Sequence, residues 1–262
     1  MTDNPTAQDT APSEGGTSRR VAIVANASDY VGPALARVLA ARGCDLVLGD
    51  PTPELAAEVA DLGAESWTVD GVKDLAEPTS AIRLLDMAMD AYGRVDAAVF
   101  FTGAIITGPF LESEPKHLQR VMAGNIEAPY RALRVFLPPM VAAGSGQILA
   151  ITSASGLRVT PGAPLYSATR AGANMLVRNV ADEVAPSGVQ VNAVGTNFMD
   201  FPGFIAATGA GDPEVRNAIE RRVPMRRLGG MDEFARFCAV FLDGSSGFQT
   251  GQVVGYDGGW SA

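Results

Sequence analysis

Residues 21–43 read VAIVANASDYVGPALARVLAARG, and this stretch decides the fold. Val21 to Val24 form a short β-branched run, Ala25 to Gly32 a turn, and the residues from Gly32 to Gly43 repeat apolar side chains at helical spacing. A strand, a tight turn and a helix in that order form the opening unit of an α/β protein. In nucleotide-binding α/β proteins this turn is glycine-rich so that backbone can approach a pyrophosphate. Here it retains Gly32 alone and carries Tyr30, whose ring would take up the space a phosphate needs.

The same alternation continues outward along the chain. Strand-like runs are DLVLGD (45–50), ESWTVD (65–70), DAAVFF (96–101), GQILAITS (146–153), VQVNAVG (189–195) and GQVVGYDGG (251–259). Between them lie helical stretches such as PELAAEVADLG, EPTSAIRLLDMAMDAYG, HLQRVMAGNIEAPYRALRVFLPPMVAAG, YSATRAGANMLVRNVADEVAPSG and DEFARFCAVFLDG. Repeated βα units with mostly apolar strands imply a doubly wound α/β fold, a parallel sheet covered on both faces. Residues 1–18 are polar and rich in Pro, Gly, Ser and Thr, which predicts a disordered tail ahead of a single catalytic domain at 19–262.

The chain has 262 residues, 47% of them hydrophobic, and a net charge of −9. That charge repels phosphate backbones and acidic membrane surfaces, so neither nucleic acid nor a membrane is an expected partner. No run approaches the roughly 18 apolar residues of a membrane span, and a cytoplasmic protein is expected. Cys44 and Cys238 are distant in sequence and read as buried thiols rather than a disulfide or metal site. The single histidine, His117, lies in the polar stretch ESEPKHLQR and reads as a solvated helix residue. Neither a Ser-His-Asp hydrolase nor a multi-histidine metal centre fits.

Over about residues 20–260 the chain resembles the short-chain dehydrogenase/reductases. The resemblance rests on the first βα turn, the strand ILAITSAS with Ser153, YSATR starting at Tyr166, VNAVGTN, and the terminal TGQVVGYDGG. It implies a Rossmann-like fold in which Ser and Tyr act with a Lys four residues beyond the Tyr, and a Gly-rich turn holds NAD(P). Two departures stand out. The family turn TGxxxGxG is ANASDYVG here, and the Lys position is Arg170. Asn26 is a mild replacement, since Asn tolerates left-handed backbone; Tyr30 is a severe one. Asp50 matches the ribose-binding acid of the family and could equally cap the helix that follows it. On a helix Tyr166 and Arg170 share a face, where a fixed cation favours phenolate.

The halohydrin dehalogenases, relatives of that family, are similar at both departures. They combine S-x12-Y-x3-R with T-x4-[F/Y]-x-G; this chain has Ser153, Tyr166 and Arg170 at that spacing and Ala25, Tyr30 and Gly32 in the loop, with Ala25 for Thr. The resemblance implies Ser153, Tyr166 and Arg170 as catalytic residues, with no cofactor and no metal. It implies a halide site at Tyr30 and in the stretch GTNFMDFPGF, at Thr196, Asn197, Phe198 and Met199, with Phe204 a further candidate. The expected partners are a small haloalcohol or epoxide, a halide or small anionic nucleophile (azide, cyanide or nitrite), and further copies of the chain in a homotetramer. An NAD(P)-dependent reductase with a degenerate loop and a non-catalytic ligand-binding relative are the alternatives. Phe100 and Phe101 read as core or pocket wall, and Asn125 as structural.

Overall fold

The computed structural model describes residues 19–101 and 103–262; the tail expected at 1–18 lies outside the described residues. The chain alternates strands and helices from its first element. β1 (Arg20–Val24) leads into α1 (Gly32–Ala41), β2 (Cys44–Gly49), α2 (Pro53–Asp61), β3 (Ser66–Val69), α3 (Ser80–Tyr92) and β4 (Ala97–Phe101). After β4 come α4 (Pro115–Met122), α5 (Ala128–Ala143), β5 (Gly146–Ser153), α6 (Pro164–Val184) and β6 (Val189–Thr196). The last part holds β7 (Met199–Asp200), α7 (Pro202–Thr208), α8 (Pro213–Glu220), β8 (Gly229–Gly230), α9 (Met231–Ala239) and β9 (Val253–Tyr256).

Seven strands form one parallel sheet in the order β3-β2-β1-β4-β5-β6-β9, and β7 pairs with β8 apart from it. Side-chain parity divides the core between the two faces. Ala22, Val24, Leu46 and Leu48 enter the layer that includes Leu35 and Leu39 of α1 and Phe234 of α9. Val21, Ile23 and Val47 enter the opposite layer, with Leu84 of α3, Phe136 of α5 and Val177 of α6. The reversal of direction between β1 and β4 opens a crevice at their carboxyl ends, the place where doubly wound sheets receive ligands.

Three elements differ from the sequence expectation. The stretch 117–144 is not one helix: residues Ala123–Glu127 widen into a π turn between α4 and α5, which turns Asn125 inward. The strand expected at 251–259 keeps only Val253–Tyr256, because Asp257 accepts the backbone N–H groups of Gly259, Trp260 and Ser261 and bends the chain. Residues 199–230 add α7, α8 and the β7–β8 pair, whose short segments lack a legible period. No helix of the described residues is long and apolar enough to cross a membrane.

Candidate active site

Ser153 ends β5 in register with Thr196, the last residue of β6. Its Oγ donates to the Thr196 carbonyl at 3.3 Å and accepts the Ser155 N–H at 3.1 Å, so both the side chain and the turn behind it are fixed. That turn is fastened to α6. The Ser167 hydroxyl donates to the Ser155 carbonyl, Thr152 Oγ1 donates to Asn174 Oδ1 at 2.8 Å, and Gly156 lies so close that a Cβ would meet the Arg170 carbonyl carbon at 2.7 Å.

Docked in this way, α6 carries Tyr166 and Arg170 into the site one turn apart, both buried. The guanidinium carbon lies 5.3 Å from the centre of the Tyr166 ring. Opposite it the chain must be glycine: at Gly103, with φ +145, a Cβ would overlap the Arg170 guanidinium and come within 2.6 Å of Asn125 Oδ1. Asn125, fully buried on the π turn, donates through Nδ2 to the Ala104 carbonyl at 3.1 Å and to Thr169 Oγ1 at 2.9 Å. The widened turn thus fixes the wall behind the arginine, a use of π turns that recurs at functional sites. The structural role expected of Asn125 is the one its bonds describe.

The turn after β1 supplies the other half. Tyr30 adopts φ +53, a left-handed conformation that costs a bulky residue about 1–3 kcal/mol, and the surrounding contacts hold it there. Its N–H donates to Asp29 Oδ1 at 2.7 Å, and its hydroxyl donates to Thr196 Oγ1 at 2.7 Å. The ring meets Phe101 and Phe201 edge-on, at centroid distances of 5.4 and 4.8 Å, and Phe234 at 6.0 Å. It therefore spans from the end of β4 to the end of β6, across the crevice. Burial raises the Tyr30 phenol far above its ordinary pKa, so it stays a neutral donor. The left-handed residue of this turn is Tyr30, not Asn26. Asn26 instead ties the end of β4 to the loop after β3, accepting from Phe101 N at 3.1 Å and donating to the Lys73 carbonyl at 3.3 Å. Gly32 is kept because a Cβ there would run into the Asn26 backbone.

Asp50 does not cap the helix that follows it. Its carboxylate accepts Gly71 N at 2.5 Å and Val72 N at 2.8 Å, and Thr52 is the residue that caps α2, through Leu55 N.

The stretch after β6 divides. Thr196 is buried and bonded to Tyr30, and Asn197 Nδ2 is buried without a hydrogen-bond partner among the described residues. Phe198 turns toward Phe204 and Trp260, at 6.1 and 6.0 Å, and Met199 enters the core layer beneath Tyr30. The aromatic that reaches Tyr30 from this stretch is Phe201, absent from the sequence candidates because a loop has no period from which to read orientation. Phe100 is core, whereas Phe101 is a wall of the site. Strand parity, which sends Phe101 to the face opposite Phe100, was the available signal.

Residues 25–261 match the family described as enoyl-(acyl carrier protein) reductase. The chain is 31% identical over 249 residues to the cis-4-hydroxycyclohexanecarboxylate dehydrogenase of Sinomonas cyclohexanicum, covering 94% of this chain and 98% of that one. Among solved structures, levodione reductase superposes with a TM-score of 0.82 at 25% identity, over 94% of this chain and 98% of that one. ElxO with NADP bound superposes with a TM-score of 0.83 at 20% identity, over 92% and 98%, a likeness of fold. With its parallel sheet and with Ser153 and Tyr166 at the carboxyl edge, the chain belongs to the short-chain dehydrogenase/reductase family.

Proposed function

We propose that this family member converts vicinal haloalcohols to epoxides, releasing halide and a proton, without a nicotinamide cofactor. The observation that carries this reading is Tyr30. Its ring crosses the crevice where the family's dinucleotide would lie and is fixed at its far end by Thr196. The remaining residues fit NAD(P) no better. Asp50, at the ribose position, is engaged by two backbone N–H groups, and Arg170 replaces the family's lysine.

The residues that remain suit an intramolecular displacement. Tyr166, as phenolate, removes the substrate hydroxyl proton, and the Ser153 hydroxyl turns from the Thr196 carbonyl to donate to the same oxygen. The Arg170 guanidinium beside the Tyr166 ring keeps a cation next to the charge that moves. The alkoxide oxygen then bonds to the neighbouring carbon as the carbon–halogen bond breaks, and the halide departs with that electron pair. Asn197 Nδ2, buried with no partner among the described residues, is the donor we assign to it, with the aromatic edges of Tyr30 and Phe201 as further positive potential. The proton on Tyr166 passes to solvent. In reverse, azide, cyanide or nitrite in the same seat would open an epoxide. A homotetramer in the cytoplasm completes the proposal, with Leu118, Tyr130 and Met175, exposed on α4, α5 and α6, offered to other copies.

A second reading, an NAD(P)-dependent oxidoreductase, is favoured by the dehydrogenase name of the Sinomonas relative. One experiment separates them: bromide release from a vicinal bromohydrin, with and without NADPH. Release that is independent of nucleotide supports the dehalogenase, and nucleotide-dependent carbonyl reduction without bromide release supports the oxidoreductase.

A further inference from the structure

Four side chains from four separate segments meet where the chain leaves the ends of β5 and β6. The Arg158 guanidinium lies 4.6 Å from the centre of the Trp260 ring, and the Arg222 guanidinium lies 4.9 Å from that of Phe198. Between the two cations, Trp260 and Phe198 meet edge to face at 6.0 Å and 89°. Arg158 also donates to the Trp260 carbonyl, while the Asp257 carboxylate holds the Trp260 N–H, so the C-terminal bend is fixed beneath the arginine. The segments bridged are those that leave the two strand ends of the site. Arg158 follows Ser153 by five residues and Phe198 follows Thr196 by two, and Ser153 and Thr196 are paired in register.

The charge of this clasp runs against that of the molecule. The chain carries −9, yet residues 220–230, ERRVPMRRLGG, place two arginines on each side of Val223 and Met225. Those two residues and Phe198 line a cleft of about 410 Å³ that also reaches Arg227 and Asp257. Arg227 is paired with Glu233, and Arg216 with Asp200 and Glu220. Among the described residues no carboxylate pairs with Arg158 or Arg222, and both are exposed. Asp257, the nearby acid, is turned toward three backbone N–H groups. On an acidic protein, a local reversal of the field raises the concentration of small anions beside it.

We infer that the clasp of Arg158, Trp260, Phe198 and Arg222 is the cationic entrance through which small anions reach and leave the site. This rests on the dehalogenase reading, in which a small inorganic anion enters or leaves in every turnover. The clasp does no chemistry. It raises the local anion concentration at the segment carrying Asn197, and its aromatic pair holds two exposed cations in a fixed place.

The test compares wild type, the pair Arg158→Gln with Arg222→Gln, and the pair Arg158→Lys with Arg222→Lys. Azide-dependent opening of a neutral epoxide is followed across a range of ionic strength. The glutamine pair should lower the second-order rate constant for azide about tenfold at low salt, and the gap should close near 0.5 M salt, where charges more than a few ångströms apart are screened. The lysine pair, which keeps the charge and loses the planar stacking, should stay within about twofold of wild type at low salt. Circular dichroism and the melting temperature check that each protein is folded; should the double glutamine variant fail to fold, each single glutamine variant gives the same readout at smaller size. A glutamine variant whose azide rate is unchanged at low salt, or is lowered equally at all salt concentrations, overturns the entrance while wild-type bromide release leaves the dehalogenase standing. Absence of bromide release and of azide opening in wild type overturns both.

Discussion

The Tyr30 hydroxyl donates to Thr196 Oγ1 at 2.7 Å, tying the turn after β1 to the end of β6 over the ends of the strands between them. In a nucleotide-binding relative this is the open floor on which a pyrophosphate would rest. Here one side chain bridges it, and the geometry of the site follows from that bridge. Thr196 is held toward Tyr30 by its side chain and toward Ser153 by its carbonyl, so the turn after β1 and the end of β5 share one residue.

Replacing Tyr30 with Phe removes this bond and leaves the ring. Stability at neutral pH should fall by about 1 kcal/mol, the usual worth of a buried hydrogen bond. The alkaline limb should change as well. Burial raises the native phenol above its unfolded value of about 10, so its contribution is complete below pH 10 and is lost above it, as the unfolded chain ionises and the native one does not. Wild type and Tyr30→Phe should therefore converge in urea-unfolding stability between about pH 9 and pH 11. Tyr92 and Tyr256, also raised by burial, remain in both proteins and cancel in the difference. Parallel curves would show that Tyr30 titrates as in the unfolded chain.

The purified protein should neither retain nor need NAD(P). On the proposed reading the Tyr30 ring stands in the way of the pyrophosphate, and the Asp50 carboxylate is already engaged by the Gly71 and Val72 N–H groups. Calorimetric titration with NADH and NADPH should give no saturable heat at micromolar concentrations; micromolar binding would sink the cofactor-independent reading.

Gly103→Ala should remove most of the activity. The new methyl would overlap the Arg170 guanidinium at a φ of +145, so the arginine must move off the Tyr166 ring. A displacement of about 1 Å in a positioned group lowers a rate about a hundredfold. Bromide release is the measurement, with circular dichroism to confirm the fold. A fully active variant would remove Arg170 from the mechanism.

Tyr166→Phe should abolish bromide release, with a loss of about a hundredfold to ten-thousandfold, because only the ionisable oxygen that takes the proton is lost. Melting within a few degrees of wild type would assign that loss to chemistry. Wild-type turnover in the variant would exclude Tyr166 as the base.

The layout of the sheet was legible because apolar parity and helical spacing are local. Val21 and Ala22 face opposite layers simply by alternating along β1. That Tyr166 and Arg170 share one face of a helix was legible for a related reason, since a helix turn converts sequence spacing into distance, whereas their grouping with Ser153 came from the family resemblance. What escaped was set by contacts distant in sequence. Phe198 and Phe201 differ in nothing that a sequence displays, yet the first faces Trp260 and the second Tyr30. Asp50 looked like a helix cap, yet its oxygens accept from Gly71 and Val72, 21 and 22 residues on. The positive φ of Tyr30 was equally hidden, because a bulky residue enters that region only when tertiary contacts hold it there.

Arg170→Lys gives the sharpest division between the two functional readings. In an oxidoreductase with an altered loop, lysine would restore the family's residue at that position, and NADPH-dependent carbonyl reduction should appear. In a dehalogenase it should only subtract. The guanidinium is a flat group whose place is shaped by the absence of a side chain at Gly103, with Asn125 near and the Tyr166 ring centre 5.3 Å away. An ammonium offers the same charge on a flexible stem, without the planar fork, and leaves part of that slot unfilled. Bromide release should fall about tenfold or more, equivalent to about 1.4 kcal/mol of lost transition-state stabilisation. Nucleotide oxidation should stay at background, since Tyr30 still crosses the crevice. Bromide release and NADPH oxidation followed in parallel over a range of pH decide the matter. Undiminished dehalogenation would refute the role given to the guanidinium, and carbonyl reduction by the variant would transfer the protein to the second reading.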